Sequence, residues 1–262
     1  MKLHLNSNTP IVIGVVHLAP LMGSPKFAGD PKVVIKSAVD DAKALFDGGV
    51  DAIIVENFGD QPFFRDRCPD LSYASFLRCV SEVQRVVSIP IGVNFLRNAG
   101  EQAMAAALAL EAAFIRVNVL VGARVTDQGL IEGRAAEILR LRQYHNPSVK
   151  VFADIAVKHS APLGDRPLVE EAREALGRGG ADGIIISGSG TGAAADLNEL
   201  AELRSAGIGP VLIGSGVNIS NIDEYLKVSD GVIVGTSVKK DGDISAPVDV
   251  SRVKTIVDRC RG

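Results

Sequence analysis

Short runs of apolar residues alternate with longer segments in which apolar positions recur every three or four residues, about eight times along the chain. The short runs are apolar throughout, which is typical of strands covered on both faces in a parallel sheet. The predicted strands are 11–17, 52–56, 91–95, 114–118, 149–155, 183–187, 211–213 and 231–234. The longer segments predict helices, five of which we place at 33–46, 73–87, 99–112, 133–144 and 168–176. Repeated strand–helix units predict an α/β fold, a single (β/α)8 TIM barrel over residues 1–262.

An internal repeat supports closure of the sheet into a barrel. A glycine or serine helix end, an aspartate and a buried strand follow one another three times, with Asp51, Asp182 and Asp230 as the aspartates. Because these carboxylates stand at strand starts, we expect them to have a structural role at the bottom of the barrel. The alternative is an open doubly wound sheet. That fold would place a glycine-rich turn after the first strand, where this chain has His17.

The segments that leave the strands are long, whereas those that enter them are short. The long ones are 18–31, 58–72, 119–132 and 156–167. Long loops gathered on one face of a barrel are typical of an active site, so we expect structureless functional loops there. One of them contains a group that could form a lid over the site or, less favoured, contact a partner: Phe58, Phe63, Phe64, Arg65 and Asp66.

Polar side chains stand at the ends of six predicted strands. In a barrel these ends converge on the face that carries the active site. Four side chains could transfer protons there, and we take as candidate catalytic residues His17, Glu56, Asp154 and His159. Six neighbouring side chains are candidates for binding a substrate: Asn57, Asn94, Arg116, Asn118, Lys158 and Ser187.

Several of these residues have alternative roles. His17 could be a hydrogen-bonded histidine of the core. Arg116 would either form a salt bridge with Glu56 or Asp154 or contact a ligand. Lys158 could be an amine nucleophile, but it lies beyond the strand, so we do not expect a Schiff base. A metal site built from the four candidate catalytic residues is a less favoured alternative, and we predict no metal and no cofactor.

Glycine-rich segments follow the last three predicted strands. Glycines let the backbone approach an oxyanion, and amides with nearby hydroxyls hold a phosphate. The predicted phosphate-binding residues are Gly188, Ser189, Gly190, Thr191, Gly192, Gly214, Ser215, Gly216, Val217, Gly235, Thr236 and Ser237. Lys239 could add a positive charge. Each segment alone could be a tight strand exit, but three together in the last part of a barrel favour a phosphate site.

Composition narrows the classes of partner. A net charge of -3 gives no overall attraction to nucleic acid or to an anionic membrane, so an anionic ligand must be held locally. No apolar run approaches the roughly 20 residues of a membrane helix, so we expect no membrane span and a cytoplasmic location. The cysteines Cys68, Cys79 and Cys260 lack metal-type spacing. We expect them to be unpaired in a reducing cytosol.

The sequence resembles the BtpA/SgcQ family in long motifs that extend over almost the whole chain. They include GVVHLAPL at 14–21, DAIIVENFGD at 51–60, GVNFLRN at 92–98 and FIRVN at 114–118. The resemblance implies a barrel related to the ribulose-phosphate-binding group. The family takes its name from a cyanobacterial factor needed to accumulate photosystem I. It also has sugar-operon members and archaeal members without photosynthesis.

Two functions remain open. The favoured one is an enzyme that binds a phosphorylated sugar or phosphoribosyl-type small molecule, with Glu56, Asp154 or His17 moving protons in an isomerase, epimerase or lyase reaction. The alternative is a noncatalytic assembly or stability factor of the photosystem I biogenesis type. Convergent polar groups in a pocket favour the enzyme. We expect a homo-oligomer, as is common for barrels of this kind, and no nucleic-acid partner.

Overall fold

A computed structural model describes residues 3, 9–164, 166–188 and 193–262. In chain order its elements are β1 Ile11–His17, α1 Pro31–Asp47, β2 Ala52–Glu56, α2 Asp70–Gln84, β3 Ile91–Asn94, α3 Gly100–Ala109, β4 Phe114–Val117, β5 Ala123–Thr126, β6 Gly129–Glu132, α4 Ala135–His145, β7 Lys150–Ile155, β8 Ser160–Pro162, α5 Leu168–Leu176, β9 Gly183–Ile186, α6 Leu197–Ser205, β10 Val211–Ile213, α7 Ile222–Leu226, β11 Gly231–Val234 and α8 Val250–Arg261. Short 3-10 helices lie at Phe58–Asp60, Thr236–Val238 and Lys240–Gly242.

Eight parallel strands close into a barrel in the order β1-β11-β10-β9-β7-β4-β3-β2. Helices connect consecutive barrel strands, so the predicted (β/α)8 barrel is confirmed. The predicted strand ends differ from the observed ones by at most one residue and the predicted helix ends by at most three. Helix α1, for example, begins at Pro31, where the carboxylate of Asp30 accepts a hydrogen bond from the amide of Lys32 at 2.8 Å.

Side chains alternate along the barrel strands between the interior and the surrounding helices. On β1, Ile13 and Val15 belong to the interior cluster, whereas Val12 and Val16 pack in the layer between sheet and helices. This alternation places one set of strand residues inside the barrel at every strand. His17 lies two residues beyond Val15 and therefore has the interior parity.

Three aspartates stabilise the bottom of the barrel, as the repeated sequence predicted. Each stands just before a strand and accepts a hydrogen bond from a backbone amide of the neighbouring strand. Asp51 accepts from Val12 at 2.7 Å, Asp182 from Val151 at 2.9 Å and Asp230 from Val211 at 2.8 Å. Each carboxylate also pairs with arginine or lysine, so its charge is compensated.

A second, three-stranded antiparallel sheet lies outside the barrel, in the order β6-β5-β8. It is built from residues of 119–132 and 156–167, which the sequence analysis treated as structureless loops. That expectation was wrong for these two segments. Most side chains of these strands are at least partly exposed, so the strands lack the continuous apolar runs of the barrel strands.

The three cysteines are unpaired, as the sequence predicts. Cys68, Cys79 and Cys260 are free and buried. Burial raises the pKa of the Cys68 thiol to about 12, so this thiol stays protonated. In the described part of the chain, no helix is long and apolar enough to cross a membrane.

Candidate active site

The polar residues at the carboxyl ends of the strands lie beside one another on adjacent strands of the barrel. In the strand register His17 pairs with Glu56, Glu56 with Asn94, and Asn94 with Arg116. Arg116 lies two residues beyond the interior Phe114 and so points to the same side. The closure of the sheet therefore brings together residues that are far apart in the sequence.

A cavity of about 220 Å³ opens at this end of the barrel. Val15 and Ile233, both members of the interior cluster, contribute its apolar lining. Four titratable side chains line it: His17, Glu56, Arg116 and Lys158. Two glycine-containing segments complete the lining, 214–218 and 235–237. The cavity thus combines one carboxyl group, a guanidinium group, an amine, an imidazole and glycine-containing backbone.

His17 is held in the cavity wall as a neutral imidazole. Its ring packs edge-on against Phe58, with the centroids 4.9 Å apart. A Cβ at Gly235 would lie 2.5 Å from Cε1 of His17, so this position has room only for glycine. Burial, followed by the positive charges of Lys239 and Lys158, lowers the pKa of His17 from 6.5 to about 3. Its Nδ1 has no hydrogen-bond partner among the described residues, unlike that of a hydrogen-bonded core histidine.

Arg116 and Asp154 form a buried bidentate ion pair. Nε of Arg116 donates to Oδ2 of Asp154 at 2.9 Å and Nη2 donates to Oδ1 at 2.8 Å. Asn118 donates to Oδ2 at 2.8 Å, and Ser187 lies 3.5 Å from Oδ1. The Asp154 side chain is 0% exposed. Of the alternatives for Arg116, the pair with Asp154 is observed, and a pair with Glu56 is not found among the described residues. Arg116 also lines the cavity, and its contact with a ligand stays a prediction.

Glu56 and Lys158 line the cavity without such partners. Within the described residues, no hydrogen bond or ion pair engages the carboxylate of Glu56 or Nζ of Lys158, although Glu56 is buried. Burial, followed by the charge of Arg116, lowers the pKa of Lys158. An unpaired acid and an unpaired amine thus face the same cavity.

The segments 214–217 and 235–237 line the cavity and contain backbone amides that are unpaired among the described residues. In the described part of the chain, no hydrogen bond engages the N–H groups of Gly216, Val217, Thr236 and Ser237. Gly216 has a φ of 72°, in the left-handed region that favours glycine. The hydroxyl of Ser215 donates to the carbonyl of Ala193 at 3.2 Å. These unpaired donors are what an oxyanion requires.

Of the remaining predicted phosphate-binding residues, the structure describes Gly188. Gly188 does not line the cavity, and its amide donates to the hydroxyl of Ser215 at 3.2 Å. Ser189, Gly190, Thr191 and Gly192 lie outside the described residues. Lys239 does not line the cavity either, because its Nζ pairs with the buried Asp41 of helix α1.

Several candidate binding residues hold the strand ends in place instead of lining the cavity. Asn94 donates to the carbonyl of Arg116 at 3.0 Å. The Asn57 side chain accepts from the amide of Leu96 at 2.7 Å.

The candidate catalytic residue His159 is exposed and does not line the cavity. Among the described residues, no group of three or more His, Cys, Asp or Glu side chains is placed to hold a metal ion.

The expected aromatic lid is only partly placed at the site. Phe58 lines the cavity, but residues 63–66 do not. The carbonyl of Phe64 accepts a hydrogen bond from the amide of Arg97 at 3.1 Å, and that of Arg65 accepts from Asn98 at 3.1 Å. These bonds fasten the segment to the residues that follow β3.

Sequence reasoning did not select Val15, Asn218, Ile233 and Gly242, which also line the cavity. Val15 and Ile233 could have been found from strand parity, because each stands two residues before a selected position. It also did not assign Arg97, which is buried and donates from Nη2 to the carbonyl of Lys158 at 2.6 Å. No spacing rule in the sequence indicates that contact.

The sequence profile of the BtpA family matches residues 8–262. The chain belongs to the BtpA family. Its relatives include the Photosystem I biogenesis protein BtpA of Synechocystis sp., which is 44% identical over 94% of this chain and 86% of the relative. An uncharacterized protein of Thermococcus kodakarensis is 43% identical over 94% of both chains.

This BtpA-family chain also has the fold of solved barrel enzymes. N-(5'-phosphoribosyl)anthranilate isomerase from Pyrococcus furiosus superposes with a TM-score of 0.59 at 17% identity, covering 96% of this chain and 98% of the isomerase. KGPDC from Streptococcus mutans gives a TM-score of 0.61 at 13% identity, over 97% and 98% of the two chains. At these identities the likeness establishes the shared TIM-barrel fold alone.

Proposed function

We propose that this BtpA-family barrel is an enzyme that binds a phosphorylated sugar or a phosphoribosyl-type small molecule. The observation that carries the proposal is the pair of segments 214–217 and 235–237, whose unpaired backbone amides line the same cavity as Arg116 and Lys158. They follow β10 and β11, the seventh and eighth strands of the barrel. That is the position at which TIM barrels commonly bind phosphate.

The cavity side chains divide into acid–base and positioning roles. Glu56 carries the proton in an isomerase, epimerase or lyase reaction, because its carboxylate lines the cavity without a partner among the described residues. His17 is neutral and supplies a hydrogen bond to the ligand. We assign Asp154 a positioning role, since its oxygens hold Arg116 and its side chain is enclosed. This revises its sequence-based assignment as a proton carrier.

Ligand-induced stabilisation tests the binding step. Ribose 5-phosphate is expected to raise the thermal unfolding temperature and ribose to leave it unchanged, because a ligand that binds only the folded state stabilises that state. Equal effects of ribose and ribose 5-phosphate would contradict the phosphate assignment.

Substitution of Glu56 tests the catalytic step. Glu56→Gln removes the acid but keeps the shape of the side chain, so turnover of a phosphorylated substrate should fall by about 10²–10⁴-fold. The shift in unfolding temperature caused by ribose 5-phosphate should remain. Unchanged turnover in Glu56→Gln would show that another group moves the proton.

The name of the Synechocystis relative, Photosystem I biogenesis protein BtpA, favours a second candidate function, a noncatalytic role in assembling a protein complex. Affinity purification of the tagged chain from its own cells tests it. A stoichiometric protein partner that remains bound after addition of sugar phosphates would support assembly, and recovery of the chain alone would count against it.

We further propose that the protein is a homo-oligomer and is located in the cytoplasm.

A further inference from the structure

Lys158 stands on a turn whose backbone conformation is unusual. The turn joins β7 to β8, and two of its residues have positive φ angles, Ala156 at 47° and His159 at 55°. Residues other than glycine are uncommon in this region, and such conformations concentrate at functional sites. Both residues lie within four positions of the end of β7. Lys158, which the sequence places beyond the strand, stands between them and lines the cavity.

Side chains from other elements fasten this turn. Arg97, which follows β3, donates to the carbonyl of Lys158 at 2.6 Å. Ser160 donates to the carbonyl of Val157 and itself accepts from Nε of Arg124 at 2.6 Å. Arg124 belongs to β5, so the small antiparallel sheet supports the turn. The lysine is thus presented by a scaffold, unlike a solvent-exposed lysine on a free loop.

The surroundings of Lys158 lower the pKa of its amine. Burial and the neighbouring Arg116 lower its pKa, so a larger fraction of the side chain is deprotonated near neutral pH. In the part of the chain that the structure describes, no acceptor binds Nζ. A desolvated lysine beside another cation is a known way to activate an amine nucleophile.

We propose that Lys158 forms an imine with the carbonyl carbon of a phosphorylated aldose or ketose held between the segments 214–217 and 235–237. The inference rests on the proposed phosphate site and names the chemical class of its substrate. It replaces the sequence-based expectation that Lys158 forms no Schiff base, because Lys158 lines the cavity although it stands beyond the strand.

The step is balanced without any further reactant. The amine nitrogen of Lys158 attacks the carbonyl carbon, the C=O π bond breaks as the C–N bond forms, and one proton passes from the nitrogen to the oxygen to give a carbinolamine. Glu56 in its acid form then protonates that hydroxyl, which leaves as water while the C=N bond forms. The nitrogen keeps its remaining hydrogen, so the product is a protonated imine and Glu56 is left as a carboxylate. The protonated imine accepts electrons from the neighbouring carbon. A C–H or C–C bond there can then break, which is the chemistry of an isomerase, epimerase or lyase.

Trapping with sodium borohydride tests the imine. The protein is incubated with dihydroxyacetone phosphate or ribulose 5-phosphate, reduced, and analysed by intact mass and peptide mapping. We expect one reduced adduct per chain, located on Lys158, and at least tenfold less adduct with unphosphorylated dihydroxyacetone. The adduct should be lost in Lys158→Arg, which keeps the charge, and retained in Lys240→Arg, which alters an exposed lysine.

Two outcomes separate this inference from the proposed function. Titration of inorganic phosphate into the wild type and into Lys158→Arg measures the anion site independently of the amine. Phosphate binding without a Lys158 adduct from either probe overturns the imine and leaves the phosphate site standing. Absence of phosphate binding by the wild type overturns the proposed function itself. An adduct that persists in Lys158→Arg also overturns the inference.

Discussion

Arg116 and Asp154, which are far apart in the sequence, form a buried ion pair at the strand ends of the barrel. The interior parity of His17, Glu56, Arg116 and Asp154 follows from the alternation of side chains along a strand, so their convergence was predictable. Which carboxylate pairs with Arg116 depends on the stagger of the strands in the closed barrel. The register that places Asn118 level with Asp154 continues from the pairing of Val117 with Ala153 and is not encoded in any local motif.

The Arg116–Asp154 pair leads to a prediction about stability. Asp154→Asn removes the counter-charge of a buried guanidinium, so the free energy of unfolding should fall by about 3–5 kcal/mol in urea denaturation. Asp40→Asn is the matched control, because Asp40 pairs with Lys36 on the exposed face of α1 and should cost less than about 0.5 kcal/mol. Similar losses in the two variants would show that the buried pair has no special weight.

His17 leads to a prediction about pH. Its pKa is about 3 in the folded protein, against 6.5 for an ordinary histidine, so between these pH values the unfolded chain binds more protons. Its contribution to stability is therefore full above pH 6.5 and declines as the pH falls, by up to about 1.4 kcal/mol per pH unit. His17→Gln should flatten the profile of unfolding free energy between pH 7 and 4.5. His145→Gln, at an exposed position, should keep the wild-type slope, and parallel profiles for wild type and His17→Gln would contradict the assignment.

At the scale of elements, the apolar barrel strands were predictable, whereas the small sheet was not. Most side chains of β5, β6 and β8 are at least partly exposed, and β5 pairs with β8 across a sequence separation of more than thirty residues. Neither feature leaves a periodic signal. The same sheet supplies Arg124 to the turn that carries Lys158, so the part of the fold missed from the sequence supports a residue that lines the cavity.

The aspartates at the strand starts lead to a prediction that separates stability from binding. Asp182 accepts from the amide of Val151 and pairs with Arg142 and Lys150 at the bottom of the barrel. Asp182→Ala should lower the free energy of unfolding by about 1.5–3 kcal/mol. Asp182→Asn, which keeps an acceptor for Val151, should cost less. Phosphate affinity, measured by calorimetry, should stay within twofold of wild type in both variants, and a larger loss would mean that the two barrel faces are coupled.

At the scale of the whole molecule, the barrel separates charge-compensated aspartates at the bottom from a cavity at the top whose polar groups are incompletely paired among the described residues. A chain with a net charge of -3 has no general attraction for anions, so binding must come from local donors. Arg116, Lys158 and the free amides of 216–217 and 236–237 supply them. Arg116 is compensated by Asp154, but Lys158 and these amides have no partner among the described residues, and burying groups unpaired is unfavourable for folding alone. We therefore interpret them as part of a ligand site.

Calorimetric titration of ribose 5-phosphate into the wild type, Ser237→Asp and Ser148→Asp tests the phosphate site most directly. Ser237 lines the cavity, so a carboxylate there should repel the phosphate and weaken binding at least tenfold, or by about 1.4 kcal/mol. Ser148 is exposed near the start of β7, at the opposite end of the barrel, and its substitution should leave the affinity unchanged. If the wild type does not bind, or if Ser237→Asp binds as tightly as Ser148→Asp, the phosphate site is not where we place it.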